Sequence, residues 1–456
     1  MTALWTSEEA QGATLGTPSR IFEVSGLSID TRTLGKGDMF VALCGENRDG
    51  HDFVKAAFAA GAEAALVTRQ PADIASGVAL LTVANTQRAL EDLAVAARAR
   101  SDARIVAVTG SVGKTTTKEI LRLAFGALGT THASASSYNN HWGVPLSLAS
   151  LPRNARFGVF EIGMNHFGEI RALVGFVRPH VALVTAIAPA HLEFFGSCEA
   201  IADAKSEIFE GIAAGGAALI PSDSPYAERL VARARQAHVA RILKFGARAG
   251  SDARLIEYVE RADSAVAKAD ICGTPVEFRL GALGRHIAEN AVGALLAVKA
   301  VDGDVLNAAA TLRQFMALKG RGARFSSSGI DVIDESYNAN PASMVAALAL
   351  LGGARGRHIA VLGDMLEMGP ESSAHHAHLA KAVEAARADL VFLCGSNMRA
   401  LWDALPPSRR GGYALSSAEL APLVVAALQK GDTVLVKGSL GSKMAVVIDT
   451  LKAWGA

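Results

Sequence analysis

The sequence predicts an α/β protein of three domains: a small N-terminal α/β domain over 1–100, a central parallel-sheet domain over 101–319 and a C-terminal domain over 320–456. Three observations predict it. Short apolar runs alternate with helical patterns along the chain, as in parallel sheets covered on both faces. A length of 456 residues exceeds what one ordinary core accommodates. A glycine-rich basic stretch, Lys319-Gly320-Arg321-Gly322, separates two series of these alternations and suits a hinge.

The elements follow in order. From Phe22 to about Arg100, strands are expected at Met39–Leu43, Ala64–Val67 and Ala79–Val83, with an Ala-rich helix at Asp52–Ala60. A helix at Thr86–Arg100 leads into the next unit. The central section opens with strand Arg104–Val108 and continues with strands Gly158–Ile162, Val181–Ile187 and Ala217–Ile220. Helices are expected between them at Thr115–Phe125 and Ile287–Val298. Beyond the hinge the rhythm resumes, with strands at Asp331–Ile333, Ile359–Leu362, Leu390–Leu393 and Thr433–Val436. The sequence shows no low-complexity tract and no repeat.

Composition narrows the function classes. Half the residues are hydrophobic and 20% are charged, the balance of a globular protein. Lys plus Arg (45) and Asp plus Glu (44) nearly cancel, so nothing electrostatic favours nucleic acid or an anionic membrane as partner. A strong anion must instead be bound by a few placed groups. Cys44, Cys198, Cys272 and Cys394 are far apart in sequence and read as buried small hydrophobes rather than a disulfide framework or zinc site. The N-terminal residues lack a basic region followed by an apolar core, and no apolar run approaches the ~20 residues of a membrane span. A soluble, cytoplasmic protein is expected.

The strongest chemical signal is IVAVTGSVGKTTTKEI. An apolar strand ends at Thr109, Gly110-Ser111-Val112-Gly113 forms a turn, and Lys114-Thr115-Thr116 opens a helix. Glycines let backbone amides turn inward around a phosphate, and a helix N-terminus adds positive potential. Lys114 would neutralise β- and γ-phosphates, and the Thr115 hydroxyl would bind Mg²⁺. Neither Val108 nor Thr109 supplies the first glycine of the longer GxxxxGK[ST] form, so the loop is of the shorter GxxGKT kind. No guanine-reading Asn-Lys-x-Asp follows, which favours ATP over GTP. The central domain is therefore expected to resemble the phosphate-loop ATPases.

Phosphoryl chemistry also needs carboxylates to hold a metal. Glu161 ends an expected strand, where parallel sheets bind ligands, with a surface glutamate in a loop as the lesser alternative. His191 follows the next strand on the same edge; alone, such a histidine is more often structural. Lys205, close to Glu207 and Glu210, reads by itself as a helix-surface ion pair. His375, His376 and His378 lack metal-site spacing and read as a solvated helix start after Gly369-Pro370.

These pieces together resemble the Mur ligases, ATP-dependent amide ligases that extend the peptide of peptidoglycan precursors. The resemblance covers essentially the whole chain and runs through TGSVGKTTT, YNNHWGVPLSL, EIGMNHFGEI, APAHLEFFGSCEAIADAKSEI and GRHIAENAVGA. Within the family, DESYNANPASM, VLGDMLEMG and VLVKGS are similar to the branch that adds D-alanyl-D-alanine, and the Asp-Asn-Pro-Arg motif of the diaminopimelate-adding branch does not occur. The same segments and the first-domain motifs speak against a folylpolyglutamate synthase. A nucleotide-dependent binding protein or switch is the more distant rival.

The resemblance implies roles. The first domain would bind the UDP-sugar, the second ATP and Mg²⁺, and a Rossmann-like third domain would close on ATP and bind the amino acceptor. Glu161, His191 and Lys205 match family metal-site positions together with Thr115, and Lys205 matches a lysine that several members carbamylate. Asn139 and Asn140 fall where members line the substrate channel, and Asn338 on the third-domain side. His286 and Asn290 fall among nucleotide contacts, Asn290 at the adenine. Arg321 matches an arginine that reaches the γ-phosphate, with Arg324 left open as the alternative, and Asp334 lies at the nucleotide and hinge side. Asp30-Thr31-Arg32 and Asn47-Arg48-Asp49-Gly50-His51 would supply groups for uracil and diphosphate. Implied substrates are UDP-N-acetylmuramoyl-tripeptide and D-alanyl-D-alanine, on a monomer. One departure stands out: Leu440 and Ala445 replace the arginine and glutamate of the family's final motif, while Lys437, Gly438 and Ser439 are kept.

Overall fold

Helix Thr86–Ala99 shows how local sequence sets the architecture. The Asn85 side chain accepts the Arg88 N–H and caps its start. Ala89, Leu90, Leu93, Ala94 and Ala97 recur at helical spacing and are all buried. That stripe packs on helix Gly143–Ala149, all of whose residues are buried. The computed structural model describes residues 3–454 apart from 46, 72–73, 75–76, 136, 190–191 and 262–263.

Besides a short antiparallel pair, Trp5–Thr6 with Glu23–Val24, the described residues form three larger sheets. The first has the order Thr17–Pro18, Ala79–Thr82, Ala64–Val67, Asp38–Val41, Gly26–Ser28, and only Thr17–Pro18 pairs antiparallel. The central sheet starts at Thr131–Ala133 and passes through Phe157–Glu161, Arg104–Thr109, Val181–Val184, Ala217–Pro221 and Arg241–Gly246 to Ala253–Glu260, all parallel. Strands Ala265–Ile271 and Thr274–Leu280 extend it antiparallel. The third sheet runs Ala323–Ser327, Ile330–Glu335, Thr433–Lys437, His358–Gly363, Leu390–Cys394, Arg410–Ala414, antiparallel only at its first pair.

Strand Arg104–Thr109 lies between Phe157–Glu161 and Val181–Val184. The chain thus leaves it toward both sides, which opens a crevice at its carboxyl end, where such sheets take ligands.

Several expectations are corrected. The antiparallel extension was not anticipated, because residues 253–280 alternate buried with exposed instead of running continuously apolar. The strand expected at Val181–Ile187 stops at Val184, since the next residues turn to bond the phosphate loop: Ser111 N–H donates to Ala186 O at 2.8 Å. The helix expected at Asp52–Ala60 divides into a 3₁₀ turn, Gly50–Phe53, capped by Asp49, and helix Val54–Ala59. Of the cysteines only Cys394 is buried; Cys44 and Cys272 are exposed and Cys198 is partly so, though all four are free thiols. His376 is buried, not solvated. Its Nε2 accepts the Met365 N–H at 3.0 Å, which leaves the proton on Nδ1 to donate to Ser372 O at 2.7 Å. It is a neutral histidine that ties helix Ser372–Ala385 to the loop after strand His358–Gly363.

The apolar clusters divide unevenly. One continuous core joins a face of the first sheet, helix Thr86–Ala99 and a face of the central sheet. The other central face has its own cluster, and the third sheet has one on each face.

Candidate active site

The phosphate loop is built by strand Arg104–Thr109 and helix Lys114–Gly126. Gly113 caps the helix at φ +84°, a left-handed backbone that glycine adopts without strain. A Cβ there would come within 2.8 Å of Asn290 Nδ2. Asn290, expected at the base of the nucleotide, therefore also packs against the loop. Ser111 Oγ donates to Ala188 O at 2.9 Å and accepts the Ala188 N–H at 3.0 Å, which moors the loop to the segment after Val184. Gly110 lies against Thr185, whose hydroxyl also donates to Val112 O. Thr116 is the third residue of the helix and half-exposed.

Lys114 Nζ donates to Gly110 O at 2.9 Å, so the lysine folds back over the loop. Burial pushes its ammonium below the usual lysine range; Glu161 pulls it back up and Arg321 pushes it further down. Glu161 is fully buried, so the surface reading fails. Its Oε1 accepts the Asn139 amide at 2.7 Å, while Oε2 has no hydrogen-bond partner among the described residues. An unpartnered carboxylate oxygen in the interior costs roughly 1–3 kcal/mol or more. With the Thr115 hydroxyl and an amide-braced carboxylate on one crevice, the donor set fits a hard divalent cation.

Lys205 departs from the ion-pair expectation. Its side chain is buried and makes no hydrogen bond or ion pair among the described residues. Glu207 accepts the Gly168 and Arg171 N–H groups, and Glu210 pairs with the Arg171 guanidinium. Burial, reinforced by the nearby Lys114 ammonium, holds the Lys205 amine well below its usual range. His191 lies outside the described residues.

Arg321 comes from the hinge, between Gly320 at φ +73° and Gly322 at φ +92°. Its Nη2 donates to Ser137 Oγ at 3.4 Å, and Ser137 Oγ is 3.5 Å from the Thr115 hydroxyl. Arg324 stands exposed on strand Ala323–Ser327, so of the two arginines Arg321 is the one that reaches the loop. Asp334 is buried and accepts Gly320 N–H at 3.0 Å and Ser336 Oγ–H at 2.6 Å. It braces the hinge. Ser137 was missed because it sits in SASSYNN, which reads as an ordinary polar loop.

Asn140 Oδ1 accepts the Gly143 N–H at 2.9 Å, at the start of helix Gly143–Ala149. Asn338 is exposed, with its carbonyl accepting from buried Lys437 at 2.9 Å. His286 lies exposed on the first turn of helix Arg285–Ala300.

In the first lobe, Arg32 is exposed and pairs with Asp30, whose carboxyl it holds down to about 2. Thr31 is half-exposed and Asn47 exposed. Asp49 bonds His51 Nδ1 and Arg69, each at 2.6 Å, and the Arg69 guanidinium holds its carboxyl well below the usual range. Gly50 donates its N–H to Leu43 O at 2.8 Å, with no space for a side chain there. Cys44, Asp49 and His51 approach as closely as metal ligands would. Thr68 N–H donates to His51 Nε2 at 2.9 Å, however, so Nδ1 carries the proton toward Asp49 and neither nitrogen is free. The trio shapes a loop.

A phosphate loop, a buried unpartnered carboxylate and an arginine from a separate lobe, all at one crevice, define a nucleotide-binding enzyme of the phosphoryl-transfer class. Three family models cover most of the chain: Mur ligase family, catalytic domain, over 23–113; Mur ligase middle domain over 108–298; and Mur ligase, glutamate ligase domain, over 320–440. A UDP-N-acetylmuramoyl-tripeptide--D-alanyl-D-alanine ligase of Escherichia coli is 35% identical, covering 95% of this chain and 94% of its own. One of Rickettsia prowazekii is 32% identical over 93% and 94%. A crystal structure of MurF from Acinetobacter baumannii superposes with a TM-score of 0.86 at 31% identity, covering 98% of this chain and 99% of that one. The chain belongs to the Mur ligase family. No helix among its described residues is long and apolar enough to cross a membrane.

Proposed function

We propose that the protein joins D-alanyl-D-alanine to UDP-N-acetylmuramoyl-tripeptide with ATP, forming an amide bond in peptidoglycan precursor synthesis. The observation that carries this reading is the convergence of Lys114, Thr115, Glu161, Lys205 and Arg321 on one crevice. The choice of acceptor rests on the full-length likeness to relatives that bear this name.

A carboxylate is a poor acylating agent. The terminal carboxylate of the tripeptide therefore takes the terminal phosphoryl group of ATP, releasing ADP. The free amine of the dipeptide then attacks the acyl carbon, inorganic phosphate leaves, and the amine loses a proton. Lys114 and Arg321 bring fixed positive charge to the phosphoryl oxygens, and a preorganised donor set of this kind supplies much of the catalysis in such sites. Mg²⁺, when bound, neutralises phosphate charge; Thr115, Glu161 and His191 would hold it. Asn139 fixes Glu161 through Oε1, which would leave Oε2 to hold the ion. Lys205, whose amine burial holds well below its usual range, would add CO₂ and release a proton, and the resulting carbamate would supply two further oxygens for a metal.

The first lobe would take the UDP-sugar through Thr31, Arg32, Asn47, Asp49, Gly50 and His51, with Asn140 and Asn338 along the peptide channel. Asn290 and Asp334 would serve the nucleotide, Asp334 through the hinge. The protein would act as a monomer in the cytoplasm. The test is phosphate release from ATP with UDP-muramoyl tripeptide and Mg²⁺, with and without D-alanyl-D-alanine. Release that requires the dipeptide, with a product heavier by one dipeptide unit, is expected. Release indifferent to the dipeptide would instead describe a nucleotide switch.

A further inference from the structure

Arg321 does not reach across the cleft unaided. Its guanidinium carbon lies 4.0 Å from the centroid of the Tyr337 ring, while its Nη2 meets Ser137 Oγ at 3.4 Å. The ring is in turn fixed by the hinge. Tyr337 N–H donates to Gly320 O at 3.1 Å, and a Cβ on Gly320 would come within 2.9 Å of the Tyr337 Cβ. Asp334 holds the same corner through Gly320 N–H at 3.0 Å. The Tyr337 hydroxyl makes no hydrogen bond among the described residues, so the face of the ring, not its polar tip, meets the arginine.

Stacking of this kind has a specific merit. A long guanidinium side chain that is free to sample rotamers loses that freedom when it engages a ligand. A ring face restrains it beforehand and leaves the N–H groups at the edge of the guanidinium plane open to an anion. A carboxylate partner would restrain it equally well but would use up those donors. Ser137 is a weak neutral partner, and its hydroxyl is already 3.5 Å from that of Thr115, at the place where the loop faces phosphate.

We infer that Tyr337 is a positioning residue that holds Arg321 aimed at the phosphate loop before nucleotide arrives, with Ser137 as the partner the guanidinium gives up when a terminal phosphate enters. The inference rests on the reading of Arg321 given under the proposed function. It makes the Tyr337 ring the source of discrimination between nucleoside triphosphate and diphosphate.

The test is calorimetric binding of ATP and of ADP, with Mg²⁺, to the full chain and to Tyr337→Leu, Tyr337→Phe and Arg321→Ala. Tyr337→Leu should lose about fivefold to twentyfold of the preference for ATP over ADP, with ADP affinity within about twofold of the parent. Tyr337→Phe keeps the ring and should keep the preference. In the Arg321→Ala background, Tyr337→Leu should change the preference no further. Equal losses in the Phe and Leu variants, an intact preference in the Leu variant, or a further loss without Arg321 would each overturn the inference. If the Leu variant does not fold, Tyr337→Met stands in for it under the same criteria. Dipeptide-dependent phosphate release by the parent chain, measured alongside, tests the ligase reading separately. Its absence would sink that reading and leave the ATP-against-ADP comparison to decide the role of Tyr337.

Discussion

Two seams join the three lobes, and they are made differently. Between the first and central sheets runs a continuous apolar core, with helix Thr86–Ala99 seated on helix Gly143–Ala149. Trp5 Nε1–H donates to Ala149 O at 2.9 Å, and buried Arg98 donates to the carbonyls of Val177 and Arg178 at 2.8 and 3.0 Å. Between the central and third sheets the buried clusters stay separate, bridged among the described residues by partly buried Leu192 and by polar contacts. Glu193 N–H meets Glu367 O at 3.2 Å, Arg321 meets Ser137 at 3.4 Å, and two left-handed glycines flank the arginine. A packed core resists shear because it admits no small adjustment. Hydrogen bonds near the upper limit of length, beside glycines, yield easily. One seam holds the first lobe still, and the other leaves Arg321 room to shift against the loop.

The largest expected effect lies where the second seam meets the loop. Glu161→Gln should lower kcat by about a thousandfold while Tm holds or rises, because a buried unpartnered carboxylate oxygen is removed. A fall in Tm would mean that Glu161 supports the fold instead. At the first seam, Leu93→Ala should cost about 2–5 kcal/mol in denaturant unfolding, with turnover per folded molecule unchanged; a change in turnover would mean that this seam also moves. Gly320→Ala at the hinge should lower kcat about tenfold and cost about 1–2 kcal/mol of stability, since its left-handed φ and the Tyr337 Cβ both oppose a side chain. A loss of stability as large as that of Leu93→Ala would erase the contrast between the seams.

The smallest effect is a pH signature of the first seam. His180 Nδ1 accepts the Ile105 N–H at 2.9 Å, and burial, with Arg98 and Arg104 nearby, holds the ring down to about 4. A base whose folded value lies below its unfolded one is stabilised neutral. Its contribution is therefore complete above the unfolded value of 6.5 and is lost as pH falls toward 4. Between those limits Tm should fall less in His180→Gln than in the parent, by about 2 °C, and equal slopes would exclude the histidine as the cause.

Much of this was legible in advance. The phosphate loop, the parallel strands and the hinge glycines each carry a local signature that packing cannot override. The partners of Glu161 and Arg321 were not legible, since Asn139, Ser137 and Tyr337 meet them only through the fold. Lys205 and His376 misled for the opposite reason. Their sequence neighbours are polar, yet helix geometry turns both side chains inward, where burial and not local composition sets their state. The antiparallel extension of the central sheet was readable by its period of two, but the expectation of a uniformly parallel sheet hid it.

Helix Gly143–Ala149 has no exposed residue, and that bears on how the chain is made. During synthesis the apolar stripe Ala89–Ala97 emerges well before the helix that covers it. The first lobe must therefore stay open, its stripe available to chaperones or to other nascent chains, until translation has passed Ala149.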